Sequence, residues 1–253
     1  MKQNMTVILF YVILIVFWQM VFDLGLTPQY IFPSPYMVVG RLWELASEGR
    51  LWPSIRATFL HMGVGFGISA SIGLIFGLAM GIHPLTNQCL KSLFVGLQTL
   101  PSAAWVPISL LIFGLSDKGI YFVIVMSSMA AVAIATADSI AQIPPLYLRA
   151  ARTLGTPRYA MSYRVILPAA LPRIVSGIKL GWTMGWHGAV SAELIQSSLG
   201  LGFLLYMGRE LLDVSQVVGI MLMTILFGFL IDRFVFGWIE YRIRLRWGMI
   251  PSA

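Results

Sequence analysis

The distribution of charged residues along the chain is the feature that most limits its fold. A membrane-crossing helix needs about 20 mostly apolar residues, and long stretches of the 253-residue chain contain no Asp, Glu, Lys or Arg. Charged residues make up 11% of the chain and the mean hydropathy is +0.84, whereas a soluble domain carries about 25% charged residues. We therefore predict an all-α integral membrane protein.

The apolar runs predict six membrane-spanning helices in a single domain that covers residues 1–253. The predicted spans are residues 3–22, 58–82, 92–116, 119–137, 171–195 and 214–231, the last extending to Trp238. Pro101 and Pro107 disturb the third span, and Lys179 and Glu193 interrupt the fifth. The first run resembles a signal peptide, but no small-x-small cleavage site follows it, so an uncleaved span is favoured.

Basic residues predict the orientation of these spans. Six spans place both termini on one side, and basic residues concentrate on the cytoplasmic side of a membrane. The terminal side would hold Lys2, Lys91, Arg149, Arg152, Arg158, Arg164, Arg173, Arg242, Arg244 and Arg246, and the other side Arg41, Arg50, Arg56, Lys118 and Arg209. Both termini are therefore predicted to be cytoplasmic. The net charge of +7 is explained by this distribution of basic residues, so no nucleic-acid partner is expected.

Two further patterns predict local packing. Gly73, Gly77 and Gly81 recur at helical spacing in the second span, as do Gly63 and Gly67. Such small residues let helices approach closely in lipid, either inside one subunit or at a dimer seam or sliding surface. Before this span, apolar residues at helical spacing between 39 and 46 predict an amphipathic interfacial helix.

The loop between the fourth and fifth spans, about residues 144–168, has a distinctive pattern. It predicts a short helix from Leu146, ended near Gly155 by a glycine C-cap, and a second helix that starts near Pro157. An ordinary basic loop would leave apolar residues such as Leu154 and Met161 facing water, so a protein partner is expected to cover them.

This loop resembles the EAA loop of ABC importer permeases, which reads Glu-Ala-Ala, three residues, Gly, nine residues, Ile-x-Leu-Pro. Ala150, Ala151, Gly155, Leu167 and Pro168 match at that spacing. Arg149 stands where the motif has Glu, and Val165 where it has Ile. Segments 31–35, 100–108, 173–181, 192–195 and 200–203 are similar to the nitrate/sulfonate/taurine/bicarbonate branch of these permeases.

The resemblance implies a type I ABC importer permease fold with six transmembrane helices and a cytoplasmic coupling helix. It implies a homodimer of permeases in the lipid of the bacterial plasma (inner) membrane, two cytoplasmic ABC ATPase subunits and an extracytoplasmic substrate-binding protein. The residues implied to couple to the ATPase are Arg149, Ala150, Ala151, Gly155, Leu167 and Pro168.

The resemblance also implies a substrate class and a division of labour. A small anion such as a sulfonate, taurine, nitrate or bicarbonate is expected, with a vitamin precursor or other small neutral solute as the alternative. The sequence contains no Gly-x4-Gly-Lys-Ser/Thr phosphate loop. ATP and Mg are therefore expected on the partner ATPase, and no cofactor, metal or catalytic residue is expected here.

Polar and aromatic residues at membrane depth predict a translocation path, because such residues in spans are usually functional. The candidates are Gln98, Pro101, Trp105, Trp182, Trp186, His187 and Glu193. Structural roles remain open, above all for Glu193 paired with a basic residue in an outer gate. An intramembrane enzyme is disfavoured because the sequence has no His-Glu-x-x-His or Gly-x-Ser-x-Gly motif. A purely structural scaffold would not explain the loop spacing.

Overall fold

Helices account for all the regular structure in the described part of the chain. A computed structural model describes residues 2–25, 28 and 31–247, with the side chains of residues 2–4, 7, 8, 158 and 159 outside that description. The helices are α1 Lys2–Asp23, α2 Pro35–Ser47, α3 Leu51–Ile82, α4 Pro84–Gln98, α5 Trp105–Phe113, α6 Asp117–Ala141, α7 Pro145–Thr153, α8 Arg158–Met161, α9 Leu167–Gln196, α10 Leu201–Glu210, α11 Val214–Leu230 and α12 Gly237–Arg246. A 3₁₀ turn, Ser102–Ala104, precedes α5, and π turns at Ser162–Ile166 and Ile231–Phe236 precede α9 and α12.

Four helical stretches are long and apolar enough to cross a membrane: Leu51–Ile82, Asp117–Ala141, Ser162–Gln196 and Val214–Arg246. They confirm the second, fourth, fifth and sixth predicted spans and extend each of them. The first predicted span corresponds to α1, in which Leu9–Asp23 forms a shorter apolar helix. With the bent pair described next, the described chain has up to five candidate crossings, so the six-span count stays a prediction.

The third predicted span, residues 92–116, is wrong as a single helix. The chain turns at His83, and α4 begins at once with Pro84. The helix then breaks after Gln98, and the stretch Ser102–Phe113 leaves at 92° to α4. Pro101 lies in the break. Because proline lacks the N–H that would continue the helix, it favours a break at this point. Pro107 is accommodated near the start of α5.

Glycine faces hold α6 between α3 and α9 at the centre of the fold. A Cβ on Gly77 of α3 would lie 2.5 Å from the Thr136 Cβ and 2.6 Å from the Ala133 carbonyl oxygen of α6. On the other side of α6, a Cβ on Gly177 of α9 would lie 2.5 Å from the Ala135 Cβ. The glycines of this face therefore serve packing inside one subunit. A Cβ on Gly67 would meet nothing within 4 Å, so the other glycine pair makes no such contact.

The order of these contacts shows how the chain crosses the core. Along α3, Gly65 faces Ile124 and Gly81 faces Ile140 of α6, so the two helices run parallel. The α4–α5 segment must therefore return across the bundle between them, and Phe94 of α4 packs with Met80 and α6 alanines on the way. In contrast, α6 and α9 run antiparallel.

The predicted amphipathic helix is present as α2. Val38 and Leu45 are buried, and Leu42 contacts Gly219 of α11, while Trp43 is 76% exposed. The buried residues Val38 and Leu45 thus each lie one position before the two ends of the predicted apolar stretch, residues 39–46. Ser34 caps the helix by accepting from the Met37 N–H.

Arg41 anchors α2 to the end of the bundle where α11 starts. Its guanidinium lies 2.7 Å from the Asp213 carboxylate and donates to the Gln216 side-chain oxygen at 2.9 Å. Burial lowers the pKa of Arg41, but the hydrogen bond to Glu44 and the charge of Asp213 outweigh it, so the pKa is raised. Arg41 is therefore a permanent cation that joins α2 to α11.

Candidate coupling loop and translocation cavities

The loop after α6 folds as a helix, a glycine turn and a second helix. Gly155 has φ +76°, a left-handed conformation that glycine adopts without steric cost. The Thr156 N–H donates to the Ala151 carbonyl and the Gly155 N–H to the Arg152 carbonyl, both at 3.0 Å. This pair of bonds is a Schellman motif. The predicted C-cap is confirmed, as is the second helix, which starts at Arg158 after Pro157.

The surface of this loop combines exposed apolar and unneutralised basic side chains. Leu154 is 85% and Leu146 69% exposed. Arg149 and Arg152 are exposed, and neither forms an ion pair with any described residue. Ala151 is buried beneath them, Ala150 is exposed, and Leu167 and Pro168 begin α9 after the π turn. The loop presents a surface suited to an apolar, acidic partner.

A cavity lined by several polar side chains lies at the break between α4 and α5. Its volume is about 330 Å³, near the lower end of the roughly 300–1,000 Å³ typical of small-molecule sites. Gln98 and Pro101, both predicted path residues, line it from the break, and His187 lines it from α9. The remaining lining residues are Thr99, Leu100, Ser102, Met126, Ser127 and Met184.

A second cavity, of about 480 Å³, lies between α9 and α11. Trp182 and Trp186 line it and stack with ring centroids 6.4 Å apart. His187 lines this cavity as well as the first. Asp232, in the π turn that follows α11, also lines it and pairs with Lys179 at 3.0 Å. Lys179 is thus paired inside the protein.

Two predicted path residues are not among those that line these cavities. Trp105 is 8% exposed and packs against Phe122. Glu193 is completely buried, and its carboxylate accepts from the Thr58 hydroxyl at 2.8 Å and the Gly202 N–H at 3.0 Å. The other carboxylate oxygen lies 2.8 Å from His61 Nδ1. Glu193 therefore joins α3, α9 and α10, with His61 as its histidine partner.

The residues that sequence reasoning missed are the partners of the charged groups. Thr58 and His61 lie more than 130 positions from Glu193, and Asp232 lies far from Lys179 in the chain. The available signal was a polar residue inside an apolar run, because a buried charged group needs a partner. That signal identifies a need for a partner without identifying which residue supplies it.

The fold and its cavities define a polytopic α-helical membrane protein with openings between its helices. The chain belongs to the family described as binding-protein-dependent transport system inner membrane component, whose model matches residues 69–245. These residues include the glycine face, both cavities and the loop at 144–168.

Several named proteins are similar to the chain. The bicarbonate transport system permease protein CmpB of Synechococcus elongatus is 32% identical over 194 residues, which cover 76% of this chain and 69% of that protein. The nitrate import permease protein NrtB of Leptolyngbya laminosa is 31% identical over 219 residues, covering 83% and 78%. The putative aliphatic sulfonates transport permease protein SsuC of Bacillus subtilis is 30% identical over 223 residues, covering 88% and 81%.

A solved structure supports the fold. A chain of the MetNI methionine ABC transporter, in an inward-facing conformation, superposes with a TM-score of 0.61 at 16% identity. The match covers 76% of this chain and 97% of that chain. The protein thus has the fold of an ABC importer permease.

Proposed function

We propose that this protein is the membrane permease of an ATP-driven importer for a small anion such as bicarbonate, nitrate, taurine or another sulfonate. Membership of the binding-protein-dependent permease family carries this proposal. The named relatives are a bicarbonate, a nitrate and a putative aliphatic sulfonate permease, which favours an anion over a neutral vitamin precursor.

The assembly that we propose contains two copies of this chain in the bacterial inner membrane. Two ATPase subunits would bind ATP and Mg on the cytoplasmic side, and a substrate-binding protein would deliver the anion from the other side. The exposed apolar residues of the loop at 144–168, together with Arg149 and Arg152, which form no ion pair with described residues, support an acidic ATPase groove as its partner. Arg149, in place of the motif Glu, would face a carboxylate there.

In this proposal, the chain converts ATPase closure into alternating access. The loop residues Arg149, Ala150, Ala151, Gly155, Leu167 and Pro168 transmit the movement to α9. The second cavity, with Trp182 and Trp186, lies along the proposed path, and Asp232 pairs with Lys179 at one edge of it. ATP binding can drive the change only because the partner subunits bind nucleotide differently in the two states.

A topology experiment tests the proposed orientation. Cys89 is the only cysteine, so Cys89→Ser gives a cysteine-free background. Leu154, in the loop after α7, and Leu115, before α6, are 85% and 74% exposed. With six spans and cytoplasmic termini, an impermeant maleimide added to intact cells should label Leu115→Cys and spare Leu154→Cys until the cells are lysed. Labelling of Leu154→Cys in intact cells would contradict the orientation.

A second experiment tests the coupling loop. Valine at position 155 is strained at φ +76°, whereas asparagine tolerates this conformation. Gly155→Val should leave the permease in the membrane but reduce co-purification of the ATPase and uptake by about tenfold. Gly155→Asn, the matched control, should retain most of both. Normal ATPase recovery and uptake with Gly155→Val would argue against docking through this loop.

A further inference from the structure

The cavity at the α4–α5 break contains hydrogen-bond donors that the fold leaves unused. Gln98, Ser102 and His187 line it, and no hydrogen bond joins their side chains to other described residues. An amide, a hydroxyl and an imidazole can each donate. We propose that this cavity is a transient oxyanion-binding site, formed by these three side chains. The inference rests on the proposed function, which it deepens by assigning the site that contacts the anion.

The neighbouring hydroxyls show why only these side chains are available as donors. The Thr99 hydroxyl already donates to the Gly96 carbonyl, and the Ser127 hydroxyl to the Val123 carbonyl. Their protons are therefore engaged within their own helices. The donors that remain come from three different elements: the end of α4, the 3₁₀ turn before α5, and α9.

The electrostatics of the cavity favour an anion. None of its lining residues is Asp or Glu, so a cation would meet no carboxylate. The helical stretch Ser102–Phe113 starts at the cavity, and a helix start carries a partial positive charge. The opposing carbonyls at the end of α4 are partly neutralised, because Gly96 and Leu97 accept from the N–H groups of Thr99 and Leu100.

The position of the site suits release as well as binding. His187 lines both cavities and can therefore contact an anion that passes from one to the other. The site also spans separate elements, since His187 lies on α9 whereas Gln98 and Ser102 lie on the α4–α5 segment. A movement between these elements would separate His187 from Gln98 and weaken binding. The amide of Gln98 and the hydroxyl of Ser102 carry no charge, and no Lys or Arg lines the cavity, which keeps the affinity low enough for passage.

Histidine NMR on the complete permease tests the site directly, without the ATPase. The chain has three histidines, His61, His83 and His187. The permease, labelled in its histidine rings and held in lipid nanodiscs, is titrated with sodium nitrate, sodium ethanesulfonate and, as a cation control, choline with a non-coordinating counterion. The His187 signal, assigned by its loss in His187→Gln, should shift saturably with both anions and not with choline. The His83 signal should not move.

Variants of the donors complete the test. Gln98→Leu should weaken anion binding by about tenfold or more, since it removes a hydrogen bond to a charged group. Gln98→Glu keeps the size and shape of the side chain, so the variant should fold as the wild type does. Its negative charge should abolish anion binding by repulsion. His83→Leu is the matched control and should bind as the wild type does. Absence of a saturable His187 shift, an equal response to choline, or unchanged affinity in Gln98→Glu would overturn the inference.

Transport assays separate failure of this site from failure of the proposed function. If the assembled importer takes up nitrate or a sulfonate but His187 does not respond to it, the site is wrong and the function stands. If His187 responds to anions but no anion is taken up, the anion site stands and the proposed function fails.

Discussion

Replacing Glu193 tests the buried polar network that joins α3, α9 and α10. The side chain is fully buried and accepts from Thr58, His61 and the Gly202 N–H. Glu193→Leu removes all three acceptor contacts. A buried donor left unsatisfied costs about 1–3 kcal/mol. The Thr58 hydroxyl can rotate to another acceptor, whereas the Gly202 N–H and the His61 ring lose their partner, so we expect a total destabilisation of about 4 kcal/mol.

Glu193→Gln separates the loss of charge from the loss of hydrogen bonds. The amide oxygen can still accept from Thr58 and Gly202, and the His61 ring can change tautomer and accept from the amide nitrogen. We therefore expect a destabilisation of only about 1 kcal/mol, which corresponds to one weakened hydrogen bond. Glu210→Leu is the control, because this glutamate lies exposed at the end of α10.

Thermal unfolding of the detergent-purified permease, followed by tryptophan emission, measures these differences. For a chain of this size, about 4 kcal/mol corresponds to a decrease of roughly 10 °C in Tm. Glu193→Gln should melt within a few degrees of the wild type, and Glu210→Leu should match it. If Glu193→Leu melted together with Glu210→Leu, the carboxylate would not stabilise the fold and the reasoning would be refuted.

Two further variants test other contacts. Gly77→Val should sharply reduce the yield of folded permease in fluorescence-detected size exclusion, because the valine side chain would overlap α6. Gly67→Val should not reduce it, because open space surrounds Gly67. Equal yields of the two variants would contradict the packing. Lys179→Met leaves Asp232 unpaired and should reduce Tm by a few degrees, roughly 1–2 kcal/mol, and Asp232→Asn in the same chain should restore most of the loss. Failure of the double variant to recover would show that the pair does not act as a unit.

The sequence predicts those parts of the fold that local chemistry determines. Apolar runs locate the four long helices, and Gly155 marks the end of α7 because a left-handed residue there favours glycine. The glycine spacing in α3 predicts close helix packing. These features depend on residues within a few turns of one another, which is why they can be inferred without a structure.

The parts that depend on distant contacts could not be predicted in the same way. Apolarity in residues 92–116 gives no indication of a 92° bend, because both halves of a broken helix are as apolar as an intact one. The partner of Glu193 comes from α3, and the cavity at the break includes residues from α4, α6 and α9. Gln98 and His187 were recognised as candidates by their polarity, but their common cavity emerges only from the packing.

The glycine contacts on both sides of α6 also provide an internal length standard for spectroscopy. Helices that pack backbone to backbone have little room to slide past one another. We therefore expect α3, α6 and α9 to move as one rigid body during any conformational cycle. Spin labels on the exposed ends of two of these helices should give one narrow distance distribution in every nucleotide state. Spin labels placed on α9 and α4 should instead give distance distributions that change with the nucleotide state. The constant distance between labels on two of the helices α3, α6 and α9 would calibrate the size of that change.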